Sequence, residues 1–80
     1  MNTKAFVLIE TAIGKTKDVV NALKKLPEVT SVDALTGPYD VIAVVEAENL
    51  TKIGDLVTSK VHTVGGITRT VTCLAISLTP

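Results

Sequence analysis

Tryptophan is missing from this 80-residue chain, and tyrosine, phenylalanine, histidine and cysteine occur once each. A single cysteine, Cys73, excludes an intrachain disulfide. With only His62 beside it as a soft ligand, a closed structural metal site is also excluded, and no cofactor is expected. Lys plus Arg equals Asp plus Glu, so there is no basic surplus of the kind that direct nucleic-acid binding requires. No apolar run is long enough to span a membrane. The first run ends at the acidic Glu10 and reads as a strand rather than a signal peptide, and with the lone cysteine it points to a cytoplasmic protein. A Gly-rich phosphate loop, a paired-carboxylate motif and a Ser–His arrangement are all lacking, so no enzyme activity is expected.

What the chain does have is apolar surface: 46% of its residues are hydrophobic. Eighty residues make one domain, 1–80. A domain of this size buries only about 60–65% of its unfolded surface and gains from a partner chain. With disulfides and metals set aside, self-association is the expected stabiliser.

Residues 4–11 (KAFVLIET) read as a first strand, with Ala5, Val7 and Ile9 on one face and Phe6 and Leu8 on the other. After Gly14, residues 15–26 carry helical spacing. Val19, Val20, Leu23 and Leu26 form its stripe, Thr16 is the expected N-cap, and Pro27 stops the helix. Residues 29–35 and 40–47 form a hairpin of two strands, the second again apolar on both faces. Residues 48–61 form a second helix capped by Asn49, with Leu50, Ile53, Leu56, Val57 and Val61 expected to be buried. Gly54 inside it costs about 1 kcal/mol relative to Ala. Residues 67–77 form the last strand, with Thr68, Thr70 and Thr72 sharing one face with Leu74 and Ile76. The order βαββαβ predicts an α+β, ferredoxin-like sandwich: a four-stranded antiparallel sheet with two helices on one face. Because the strands are apolar on both faces, the uncovered face should close against a second copy in a sheet-to-sheet dimer.

The hairpin turn is TGPYD, residues 36–40, and holds the only tyrosine. Pro38 presets a turn, Gly37 permits the conformation before it, and Asp40 can accept backbone N–H groups. Tyr39 adds a ring suited to a place that is dry at one end and wet at the other. Such a turn could receive a small zwitterion, and the row Thr68, Thr70, Thr72 offers hydroxyls that both donate and accept. The plain alternatives are ordinary turn chemistry and ordinary strand preference. For His62 the plain alternative is a surface residue after a helix, and for Cys73 a buried, inert thiol.

In combination, these stretches resemble the ligand-binding (RAM) domain of the Lrp/AsnC transcriptional regulators. The marks are Gly37-Pro38-Tyr39-Asp40 entering the third strand, Gly66-Ile67 opening the last strand, and the threonines from Thr68 to Thr72. The stretch AFVLIETAIGKTKDVVNAL is also similar to that domain, so the resemblance covers essentially the whole chain. It departs from the family in lacking the N-terminal helix-turn-helix, which implies a stand-alone form without direct DNA binding. It also implies homodimers that assemble into a higher oligomer, an octamer or similar ring, with an amino acid effector bound between dimers. Gly37, Tyr39 and Asp40 would form the turn side of that pocket, and Thr68, Thr70 and Thr72 the strand side. Pro38 removes one N–H that a ligand carboxylate would otherwise meet. Full-length Lrp/AsnC regulators are the further partner the resemblance implies.

Three other readings share the element order. An ACT-like module would place its ligand contacts near TAIGKTKD, residues 11–18. A small dimeric αβ-barrel enzyme would need a pocket between sheet and helices. A structural assembly unit would pack a dry junction around Tyr39.

Overall fold

Strand β1 (Thr3–Thr11) lies inside the sheet, and its odd-numbered residues build the floor of the core. Ala5, Val7 and Ile9 have no exposed surface, and neither have Val41, Ala43 and Val45 of the neighbouring β3 (Val41–Ala47). The computed structural model, which describes residues 2–78, orders the strands β2-β3-β1-β4, all antiparallel. Here β2 is Val29–Ala34 and β4 is Ile67–Leu74. The ferredoxin-like arrangement expected from the element order is thus the observed one.

Helix α1 (Thr16–Lys24) lays Val19 and Leu23 on the floor, with Val20 and Leu26 partly buried beside them. Its expected cap is not the observed one. Lys15 occupies the N-cap position without a side-chain hydrogen bond, and the Thr16 hydroxyl instead meets the Thr11 hydroxyl at 2.7 Å.

The second helix is two pieces. Helix α2 (Leu50–Leu56) starts as expected, with Asn49 Oδ1 accepting from the Lys52 amide at 2.9 Å. It then widens into a π-helical turn, Val57–Val61, in which the His62 amide reaches back to the Val57 carbonyl. At the junction Thr58 Oγ1 donates to the Gly54 carbonyl at 2.9 Å, a back-bond that competes with regular helix geometry. Ile53, Leu56, Val57 and Val61 are buried, but Leu50 is 60% exposed because it sits at the outer rim of the sheet.

Strand β4 carries an irregularity that changes its facing. Glu10 pairs with Arg69 but Thr11 pairs with Ile67, so Thr68 has no opposite residue. The bulge puts Ile67 on the helix side, packed on the core, where simple alternation had placed it with Arg69, Val71 and Cys73. Regular pairing ends at Leu74, three residues before the expected end. Cys73 is exposed, not buried, since it stands on the uncovered face opposite Phe6. Gly66 fixes the approach to β4. Its φ is +98°, and a Cβ there would stand 2.8 Å from the Lys15 Cβ, so only glycine lets this loop press on the start of α1.

Candidate functional site

The end of β1 is gripped from both sides. On the β3 side, the Asp40 amide donates to the Ile9 carbonyl at 2.9 Å, and Asp40 Oδ2 accepts from the Thr11 amide at 2.8 Å. The Thr11 hydroxyl also donates to Asp40 Oδ2 at 3.3 Å, and the Asp40 carbonyl accepts from the Leu35 amide at 2.8 Å. Asp40 therefore closes the hairpin turn onto the strand two places away in the sheet order from β2. Gly37, with φ +130°, is exposed at the tip, and the neighbouring Tyr39 is half-buried.

On the β4 side, the bulge residue Thr68 donates its hydroxyl to the Glu10 carbonyl at 3.1 Å. Thr70, opposite Ile9, faces the helix side, where its Oγ1 lies 2.8 Å from His62 Nε2. These residues line an open surface depression of about 310 Å³ formed by His62, Ile67, Thr68, Arg69 and Thr70. Arg69 reaches Glu10 at 3.3 Å with both side chains well exposed, so the pair contributes little stability and leaves the guanidinium accessible.

The expected site residues are thus divided. Thr68 and Thr70 share one depression, and the Gly37–Asp40 turn stands at the same end of the sheet, across β1. Thr72 belongs instead to a second, uncharged depression between β4 and α2. The turn lines neither of these depressions. Three residues join the site that sequence reasoning did not place there. Thr11 anchors Asp40 from 29 positions away, His62 meets Thr70, and Arg69 supplies the cation. The only advance signal for His62 was its place just before the Gly65-Gly66 turn that leads into β4.

Chemically, this end of the sheet offers hydroxyls, one imidazole and one guanidinium, a set suited to holding a polar or anionic group. The Thr70–His62 contact has no carboxylate orienting the ring among the described residues, so it lacks the third member of a nucleophile–base–orienter set. Among the described residues no group of three His, Cys, Asp or Glu is placed to hold a metal ion, and no helix is long and apolar enough to cross a membrane.

Comparison with known proteins gives a consistent result. Residues 4–79 match the family model described as the Lrp/AsnC ligand binding domain. An uncharacterized HTH-type transcriptional regulator of Pyrococcus furiosus is 33% identical over 78 residues, which is 94% of this chain and 52% of that protein. The chain spans about half the length of the curated relatives it matches. A solved structure from Thermus thermophilus is 35% identical, with a TM-score of 0.90, and the match covers 98% of each chain. A transcriptional regulator from Neisseria meningitidis, solved as an L-Met complex, shares the fold at 18% identity and a TM-score of 0.85, over 95% of this chain and 51% of that one.

Proposed function

The chain belongs to the Lrp/AsnC ligand-binding domain family, and from that premise we propose that it is a non-enzymatic sensor of an amino acid effector. The effector site would lie between dimers, with Gly37 and Tyr39 as its turn side and Thr68 and Thr70 as its strand side. Asp40 would act by holding the turn, since its Oδ2 is committed to Thr11. Thr72, in the neighbouring depression, would contribute only at the margin of the site. His62 and Arg69 extend the proposal toward the ligand carboxylate.

The observation that carries this reading is that turn and threonines flank the same end of β1 while a single copy leaves them without a common enclosure. A site split in this way is completed by a neighbouring copy. The L-Met complex of the meningococcal regulator, which shares the fold, supports an amino acid as the ligand class. The uncovered sheet face, with Phe6, Leu8, Ile42 and Val44, would close in a sheet-to-sheet homodimer, and dimers would join into a ring of octamer type. A ligand that touches two dimers favours the joined state, so binding would be read out as assembly. The output would be association with full-length Lrp/AsnC regulators in the cytoplasm.

A thermal-shift panel of the twenty amino acids, with light scattering on each hit, tests the proposal. A ligand at about a hundred times its dissociation constant adds roughly 2.7 kcal/mol per site. The expected result is a selective shift with increased mass, lost in Tyr39→Ala. A shift that survives Tyr39→Ala but is lost on changing Gly14 or Lys15 would transfer the site to the loop after β1, as in an ACT-like module.

A further inference from the structure

Strand β4 is an edge strand, and among the described residues no strand pairs along its far side. Which backbone groups it leaves open follows from the register. The Ala75 amide donates to the Lys4 carbonyl at 2.9 Å, so Lys4 and Ala75 form a hydrogen-bonded pair. Antiparallel pairs alternate, so Phe6–Cys73 and Leu8–Val71 are hydrogen-bonded pairs as well. The even-numbered residues Thr70, Thr72 and Leu74 therefore turn their N–H and C=O groups outward, away from β1.

The same even-numbered residues point their side chains to the helix side, because they lie opposite Ile9, Val7 and Ala5. There Thr72 and Leu74 border an uncharged depression of about 310 Å³ whose far wall is Leu50, Ile53, Gly54 and Val57. A Cβ on Gly54 would meet nothing within 4 Å, so this wall has room. Residues 75–78, beyond β4, have no regular structure, and Ile76 and Leu78 are 77% and 88% exposed. They have the same parity as Thr72 and Leu74. From Thr70 to Pro80 there is no charged residue, whereas natural edge strands are usually guarded by charge.

We infer that this edge pairs antiparallel with the same edge of a second copy, about a two-fold axis at Leu74. A centre on Leu74 sets even residues opposite even residues, so it uses the outward groups of both strands. With Leu74 opposite its own copy, Thr72 stands opposite Ile76 and Thr70 opposite Leu78. Ile76 of each copy then covers the Leu50–Gly54 wall of the other, and the two sheets join into one eight-stranded sheet. The contact is isologous and uses an edge, so it is separate from the face-to-face dimer and does not depend on any ligand.

Two substitutions test it in the full chain. In a Cys73→Ser background, Leu74→Cys puts two thiols at the axis, with Cα atoms about 5.5 Å apart, inside the range a disulfide bridges. Mild oxidation should give a covalent dimer on a non-reducing gel. Leu78→Cys in the same background places its thiols eight residues apart across the pairing, roughly 27 Å, and should give none. Equal cross-linking at both positions, or none at Leu74→Cys, overturns the pairing. Independently, Ile76→Pro removes an outward N–H while sparing the Ala75–Lys4 bond. Light scattering should then show about a two-fold lower mass with an unchanged circular dichroism spectrum. An unchanged mass overturns the inference.

Discussion

Strand β1 is apolar on both faces, yet the two faces end up in different conditions. Ala5, Val7 and Ile9 are wholly buried under the chain's own helices, while Phe6 and Leu8, on the same strand, stay partly exposed. The uncovered face is not uniformly greasy. Its apolar centre of Phe6, Leu8, Ile42, Val44 and Val71 is framed by Lys4 and Glu46 at one end and by the Glu10–Arg69 pair at the other. Lys4 Nζ also lies 5.4 Å from the Phe6 ring centroid. A dry centre with a charged rim is the composition of a protein–protein contact. The comparison separates two tasks that the same alternation can perform: one face folds the chain, and the other is suited to the proposed partner.

The largest effect should come from damaging the finished face. Leu23 is fully buried in α1, so Leu23→Ala should cost about 2–5 kcal/mol. Urea denaturation should show the loss at every protein concentration, because the residue serves folding itself. A loss seen only at low concentration would mean that the helix face, too, needs the partner.

The unfinished face should respond differently. Leu8→Glu puts a carboxylate at the centre of the proposed sheet-to-sheet contact, twice per dimer. Burying unpaired charge costs several kcal/mol, so association should weaken at least about a hundred-fold, roughly 2.7 kcal/mol. Sedimentation should show smaller species, and the monomer should keep its circular dichroism spectrum. A variant that keeps the wild-type mass would show that the uncovered face is not the dimer contact.

The contrast between the faces was readable in the sequence, and the reason is periodicity. Strand alternation and helical stripes are repeated over seven or more residues, and Gly14, Pro27 and the TGPYD turn mark the breaks between them. What escaped was anything decided by one residue or by a distant partner. A bulge at Thr68 leaves no compositional trace, yet it moves Ile67 to the other side of the sheet. The π-helical turn depends on where the Thr58 hydroxyl finds a carbonyl. The Asp40–Thr11 latch and the His62–Thr70 contact join residues that only the sheet order brings together. The turn itself was legible as a candidate, but the role of Asp40 within it was not.

The smallest effect belongs to a contact on neither face. At the end of the molecule away from the TGPYD turn, Lys60 of the π-helical turn meets Glu28, just before β2, with Nζ 2.9 Å from Oε2. The hydrogen bond from Lys60, helped by Glu28's own backbone amide, holds the Glu28 carboxyl below the usual carboxylate range. A carboxyl with a lowered pKa adds stability above its unfolded value, and that stability is lost as the pH falls through the folded value. Both side chains remain substantially exposed, at 44% and 32%, so solvent screening limits the pair to at most about 1 kcal/mol. Lys60→Met should therefore lower the melting temperature slightly at neutral pH, and the gap from wild type should close on acidification through the carboxylate range. Salt should close it too. Melting curves of both proteins across that pH range check this. A gap that stays constant into acid would mean that Lys60 stabilises through its aliphatic stem rather than through Glu28. The rim contact would then belong with the packed helix face after all.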